Sequence, residues 1–298
     1  MHKKIYYWSG ISFLILSVML FIDITLINWY EGFYQSINQK NQPQFIYNII
    51  KFIFISGSSA IALSSLSYIL EFLDLELKLM LSKIAVTKLE ANNSHLKANQ
   101  KPIDDATLAA ERLSSTLPMF IFNVIKILVL VGLLVLWSPN ELYVNSLAIY
   151  IPYPLLLTSL IFISIQTLIA MQYFPLLQRT DQLKRKVENR FRLTLLGITN
   201  SKNVSSGLYA YLKAINAIRK HTAFKNFSLS VTLGLIGTLS YVIPYMALFQ
   251  FYMNDVLDFG ELMKLSATFS IFLNSCTYVV NNFRELSRGF AALKRVLN

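Results

Sequence analysis

The chain has 298 residues, of which 54% are hydrophobic and only 14% are charged, which is less charge than soluble domains use to cover their surface. Sparse Gly (10) and Pro (8), 13% aromatic residues and a single cysteine exclude a disordered chain, a collagen-like fibre and a secreted disulfide scaffold. The net charge of +11 would suit nucleic acid only if the basic residues formed one patch on a folded domain, and their positions argue against this.

Six stretches are apolar and long enough, at about 20 residues, to cross a hydrocarbon layer as helices. In chain order they cover 5–28, 45–73, 117–137, 142–174, 227–252 and 262–280. The first follows Lys3 and Lys4, but it is too long for a signal peptide and no small-residue cleavage site follows it. The sequence therefore predicts an all-α membrane protein whose residues 1–298 form one transmembrane domain.

The positions of Lys and Arg predict the topology. The segments before the first span, between the second and third, between the fourth and fifth, and after the sixth hold 23 of the 27 basic residues. By the positive-inside rule these segments and both termini are cytoplasmic, so the high net charge is a consequence of topology. Aromatic residues fall at the opposite interface, as in the belts of membrane proteins: Trp29, Tyr30, Trp137, Tyr143, Tyr150 and Tyr252.

The connections between spans are unequal. The outer loops, 31–44, 138–141 and 253–261, are short, whereas the two long inner connections keep helical periodicity. The second helix is predicted to continue to at least Lys88, which makes it about 65 Å long at 1.5 Å per residue. Helices that project into the cytoplasm and are joined by turns near 92–104 and 199–207 are typical of the transmembrane half of an ABC exporter.

Several motifs resemble one family. WYEGFYQSINQKN resembles the W-x-x-x-F-Y-(D/N)-A-L-Q signature shared by SbmA/BacA peptide uptake proteins and peroxisomal-type ABC half-transporters, with Trp29, Phe33 and Tyr34 as the matching residues. AAERLSSTLP, IPY, PLLQRTDQLKRKVENRFR and NNFRELSRGFAALKRV resemble later family stretches in the same order. Gln35, Ser36 and Asn38 depart from the signature, and Lys78 replaces a family arginine. Family chains are also longer, with extra helices before the six-span core.

The sequence lacks the motifs of nucleotide and metal chemistry. A phosphate-binding loop needs G-x-x-x-x-G-K-(S/T), and none of the ten glycines is followed by lysine. We therefore expect no nucleotide-binding domain, no ATP hydrolysis and no other enzymatic activity. His2, His95 and His221 are isolated and Cys276 is the single cysteine, so no metal site and no cofactor is predicted.

Polar side chains at membrane depth are the first site candidates. Asp23 in the first predicted span and Lys126 in the third would each cost about 2.5–3.5 kcal/mol at the bilayer centre, so each should face a partner, which can be the other, or a wet cavity. The alternatives are hydration of Asp23 near the interface and snorkelling of Lys126. Uncharged candidates can line a cavity or join helices; they include Asn123, Gln166, Gln172, Asn274, Asn281 and Asn282.

Five carboxylates are candidates for proton coupling. Asp23 lies deepest in a predicted span, and Glu188 falls on the glutamate of the family's R-V-E match. Glu71, Asp74 and Glu285 follow, on predicted helices near the inner mouth. Ordinary surface ion pairs are the alternative for these residues, since Glu188, for example, has Lys184 and Arg192 at helical spacing.

The resemblance implies a homodimer in the bacterial inner membrane that imports peptides or other bulky hydrophilic compounds, driven by the proton gradient through alternating access. Two alternatives stay open: the membrane subunit of an ABC transporter whose ATPase is a separate chain, and a non-transporting membrane scaffold that holds a partner. ATPase-coupled relatives carry an acidic docking motif near 200–213. The segment SKNVSSGLYAYLK contains no acidic residue at this place, which favours a transporter that works without an ATPase.

Overall fold

The computed structural model describes residues 2–91, 101–139, 141–144, 149–169 and 237–297, together with scattered positions between 171 and 235. Residue contacts divide the chain into two compact units, Met1–Leu160 with Ile243–Asn298, and Ile161–Val242. In chain order the elements are α1 (His2–Asn38), α2 (Gln42–Ala91), α3 (Lys101–Trp137), β1 (Glu141–Val144), β2 (Ile149–Pro152), α4 (Pro154–Ile169), α5 (Ile243–Met253) and α6 (Phe259–Leu297).

Among the described residues, four helical stretches are long and apolar enough to cross a membrane: Lys3–Asn38, Gln42–Lys88, Pro102–Trp137 and Ser230–Met253. They contain most or all of the first, second, third and fifth predicted spans and indicate a helical membrane protein. In the described part of the chain, α4 is shorter than a span requires. The long helix α6 carries the sixth predicted span but is less apolar, because Lys264, Asn274 and several hydroxyl side chains lie within it.

The helices α1 and α2 form an antiparallel hairpin with a connection of three residues, 39–41. Lys40 takes a left-handed φ of 55° after α1, and the side-chain oxygen of Asn41 accepts a hydrogen bond from the Gln44 N–H at 3.3 Å, which caps α2. The predicted outer loop at 31–44 is therefore corrected, since α1 runs through most of it. Trp29 and Phe33, one helical turn apart, pack against Phe52 and Phe45 of α2, with ring centres 4.7 and 5.5 Å apart.

The first unit has two ends, which we define by the helix termini. The terminal end carries the start of α1 and α3 and the end of α2 and α6; the hairpin end carries the opposite termini. Ion pairs at the terminal end join Lys4 to Glu76 at 3.4 Å and Arg295 to Asp105 at 2.7 Å. The sequence predicts that the terminal end is cytoplasmic.

At the terminal end, α2 continues well past the start of α1, packed with α3 and α6. Small side chains allow these three helices to approach closely, and their buried core consists of Leu81, Ala85, Ala106, Ala109, Ala110, Ala292 and Val296. The Lys88 ammonium donates a hydrogen bond to the Val296 carbonyl at 3.0 Å, near the end of α6. The prediction that the second helix continues to at least Lys88 is confirmed, because α2 has 50 residues and is about 75 Å long.

A β-hairpin follows α3. The strands β1 and β2 pair antiparallel, with Tyr143 opposite Tyr150. The expected fourth span at 142–174 is corrected accordingly, since α4 begins at Pro154. The β-branched and aromatic residues of ELYV and IYIP favour strands, and Pro152 and Pro154 lack the N–H that a helix interior requires.

The fifth predicted span is helical but interrupted. A turn occupies residues 241–242 within the stretch Ser230–Met253, and α5 restarts at Ile243. Pro244 explains the restart, because proline is tolerated in the first turn of a helix and not in its interior.

Candidate functional site

Asp23 of α1 and Lys126 of α3 form an ion pair inside the bundle. The Lys126 ammonium donates a hydrogen bond to Asp23 Oδ2 at 2.6 Å, with side-chain exposures of 13% for Lys126 and 26% for Asp23. The ammonium also lies 5.7 Å from the centre of the Phe122 ring. The expectation that these two charges can pair is confirmed, whereas hydration or snorkelling of each residue alone does not describe the structure.

The surroundings of the pair are apolar. Leu16, Leu66 and Phe122 form a cluster of buried side chains from α1, α2 and α3, one helical turn along α3 from Lys126. The buried amide of Asn123 donates to its own helix, at the Met119 carbonyl 2.8 Å away. This local bond makes Asn123 a satisfied core residue and leaves the ion pair as the charged feature of the site.

Helix register shows what lies level with the pair. Trp29 lies beside Phe52 and Trp8 beside Phe72, which puts Asp23 level with about residues 57–58 of α2, a glycine and a serine. The pairs Asp105–Arg295 and Arg112–Glu285 put Lys126 level with about residues 271–275 of α6. That segment carries no charged side chain, and the nearest titratable group beside it is the buried thiol of Cys276.

The signature residues Trp29, Phe33 and Tyr34 are packing residues in this structure. The buried indole N–H of Trp29 donates to the Asn48 carbonyl at 2.7 Å, and the Asn48 amide donates to the Gly32 carbonyl at 2.9 Å. Trp29 stacks on Phe33 with ring centres 4.7 Å apart. The Tyr34 ring meets Phe259 edge-on at 5.7 Å. The signature therefore joins α1 to α2 and α6 at the hairpin end.

A second charged cluster lies at the hairpin end and was not among the sequence candidates. The Lys264 ammonium of α6 contacts Glu31 Oε2 of α1 at 2.8 Å and lies 4.0 Å from the centre of the Trp137 ring at the end of α3. These contacts connect three helices. Lys264 is a charged residue within the sixth predicted span, just as Lys126 is in the third. This position is the sequence signal that could have identified Lys264 as a candidate.

The candidates Glu71 and Asp74 lie at a groove between α2 and α3 towards the terminal end. The groove has a volume of about 580 Å³ and is lined by Ser67, Leu70, Glu71, Asp74, Leu75, Glu111, Ser114 and Ser115. Asp74 is engaged on both sides, since it pairs with Lys78 and accepts a hydrogen bond from the Ser114 hydroxyl at 3.1 Å. Glu71 is exposed in the groove.

The candidate Glu285 is surrounded by guanidinium groups. Its carboxylate lies 2.9 Å from Arg288, 3.4 Å from Arg112 and 3.9 Å from Arg284. The Arg112 contact joins α3 to α6. This arrangement agrees with the alternative that Glu285 forms ordinary ion pairs and does not carry protons.

The remaining candidates are Gln166, Asn281 and Glu188. Gln166 is buried in the part of α4 that belongs to the second unit, and Asn281 is exposed on α6. Glu188 and the matched segment 175–192, apart from Leu183, lie outside the described residues, as does the turn near 199–207. Among the described residues, no group of three or more His, Cys, Asp and Glu side chains could hold a metal ion.

Models of known protein families and curated protein sequences give no significant match to this chain. The likeness to SbmA/BacA proteins therefore depends on the motifs alone, and what it implies about function is a proposal.

Proposed function

We propose that this protein is a homodimeric transporter of the bacterial inner membrane, which imports peptides or other bulky hydrophilic compounds by proton-driven alternating access. The proposed fold is the six-span transmembrane domain of ABC exporters. The motif resemblance supports it, as do the four candidate spans and the helices that continue beyond membrane length.

The ion pair of Asp23 and Lys126 is the observation that carries the proposal. Inserting charged groups into a bilayer is costly, and intramembrane charges are mostly found where ions, protons or substrates pass. A scaffold that only holds a partner can pack its helices with apolar side chains at lower cost. The pair therefore favours transport over the scaffold alternative.

The carboxylates fall into a sequence along the bundle that suits proton movement. Asp23 lies in a candidate span, and Glu71 and Asp74 line the groove towards the terminal end. We rank Glu285 last among the described candidates because three arginines engage it. Glu188 stays beside Asp23 as one of the first two candidates because of the motif match.

The proposed transporter is a homodimer. Six helices enclose too little space for a peptide in this fold, so the chamber requires a second copy related by a twofold axis along the membrane normal. We expect a dimer when the mass of the purified protein is measured in mild detergent. A monodisperse monomer that still transports would contradict this part of the proposal.

Uptake in cells tests the energy source. Cells that express the protein should take up a labelled peptide when ATP is depleted and the proton gradient is kept, and should stop when a protonophore is added. The opposite result would establish the separate-ATPase alternative.

Expressing cells should also become sensitive to peptide antibiotics that act inside the cell. Unchanged sensitivity despite confirmed membrane expression would favour the scaffold alternative or a transporter with a narrow range of substrates.

A further inference from the structure

We propose that a proton and the Lys126 ammonium compete for the Asp23 carboxylate, so that proton binding to Asp23 releases α1 from α3. The inference rests on the proposed proton-driven transport and adds the device that would connect proton binding to helix movement. It starts from the 2.6 Å contact between Lys126 Nζ and Asp23 Oδ2.

The net charge of the Asp23–Lys126 pair depends on whether the Asp23 carboxylate binds the Lys126 ammonium or a proton. With Asp23 ionised, the pair has no net charge, and the short hydrogen bond is strengthened by both charges. When a proton binds to a carboxylate oxygen, that group becomes neutral and the pair carries one positive charge, on Lys126. Because only 13% of the Lys126 side chain is exposed, the unpaired ammonium would be left in an apolar site, which is unfavourable.

No second carboxylate is within reach in the described residues. The charged side chains that flank the site are Lys4 and Glu31 on α1, Lys51 and Glu71 on α2, Arg112 on α3, and Lys264 and Arg284 on α6. The nearest acid along α1, Glu31, is eight residues from Asp23, or about 12 Å along the helix, and is bound to Lys264. The Cys276 thiol near this level is buried and is not a carboxylate, and the Asn123 amide is bonded to Met119.

Protonation of Asp23 therefore leaves Lys126 with water as its available partner. The long lysine side chain can swing its ammonium towards an aqueous surface. Once it does so, α1 and α3 keep only apolar packing at this depth, at Leu16 and Phe122. The contacts of α1 with α2 through Trp29 and Asn48, and with α6 through Glu31 and Lys264, are unaffected, so the freed movement is that of α1 relative to α3.

Four variants test the competition: Asp23→Asn, which imitates the protonated group, Lys126→Met, the double variant, and Lys51→Met. The last is the matched control, because Lys51 is a lysine in the second predicted span for which the structure shows no ion pair. Each is reconstituted into liposomes with a proton gradient, and accumulation of a labelled peptide is measured. Each is also examined by backbone hydrogen exchange at one fixed pH, which reports on α1 and α3 without transport.

We expect Lys126→Met to let peptide equilibrate across the membrane without accumulation, while Lys51→Met accumulates it as the wild type does. Hydrogen exchange should rise around Asp23 and around Lys126 in both single variants, because each leaves one charge unpaired. In the double variant exchange should return towards the wild type, since no charge is left unpaired. If Lys126→Met does not give folded protein, Lys126→Gln, which keeps Asp23 and removes the positive charge, provides the uptake test, with the same expected loss of accumulation.

The possible failures are distinguishable. A Lys126→Met variant that accumulates peptide like the wild type would overturn the competition and leave the proposed function standing. Single variants whose hydrogen exchange matches that of Lys51→Met would overturn the release of α1, whatever the uptake result. A wild-type protein without gradient-driven uptake would overturn the proposed function and the coupling role together.

Discussion

Replacing Ala292 with leucine tests the packed helices at the terminal end. Ala292 is 0% exposed in the alanine-rich core that α2, α3 and α6 share. One turn before it on α6, a Cβ at Gly289 would lie 3.0 Å from the Arg112 Cβ, so α3 and α6 approach closely there and leave little space for a larger side chain. Ala292→Leu adds three carbon atoms to this core, and overpacking of this kind costs about 1–3 kcal/mol.

Ala291 provides a matched control. It is the neighbouring residue on α6 and is exposed, so the same substitution there should change the free energy of unfolding by no more than about 0.5 kcal/mol. We would measure the apparent free energy of unfolding by titration with SDS in mixed micelles. Hydrogen exchange of residues 77–91 should also rise in Ala292→Leu and not in Ala291→Leu. Equal results for the two variants would refute the close packing of the three helices.

Three further predictions address the hairpin end. Trp29→Phe keeps an aromatic ring but loses the N–H bond to the buried Asn48 carbonyl, so it should lower the free energy of unfolding by about 1–3 kcal/mol; Trp8→Phe, which keeps stacking on Phe72, should have a smaller effect in the same SDS titration. Gly260→Ala should lower the thermal midpoint, because its Cβ would lie 2.7 Å from the Glu31 carbonyl, whereas Gly57→Ala meets nothing within 4 Å and should not. Lys264→Met should destabilise the protein by leaving Glu31 without its ammonium partner, and adding Glu31→Gln should restore part of the loss; a double variant no better than Lys264→Met would show that the ion pair adds nothing.

Helix periodicity in the sequence predicts much of the first unit. The apolar and amphipathic spacing from Phe45 onwards indicates a helix far longer than a membrane span, and α2 has that length. Charge inside an apolar stretch identifies Asp23 and Lys126 as residues in need of a partner, and the structure pairs them. Such inferences succeed because the cost of unpaired charge and the period of a helix are local properties of the sequence.

Other features depend on contacts between residues far apart in the chain. Glu31 and Lys264 are 233 positions apart, and only the folded helices bring them together. The paired strands 141–144 and 149–152 replace the start of an expected span because β-branched residues and two prolines outweigh hydropathy there. The signature Trp29, Phe33 and Tyr34 identifies a resemblance, but its role in joining α1 to α2 and α6 follows from the geometry.

The central claim is that this protein moves a bulky hydrophilic substrate by using a proton gradient and the Asp23 carboxylate. Uptake of a labelled peptide into sealed liposomes that contain only the purified protein tests it most directly, with the proton gradient as the sole energy source and no ATP present. We predict accumulation by the wild type, none after a protonophore is added, and none by Asp23→Asn at equal reconstituted amounts. Absence of gradient-dependent accumulation by the wild type, or full accumulation by Asp23→Asn, would contradict the claim.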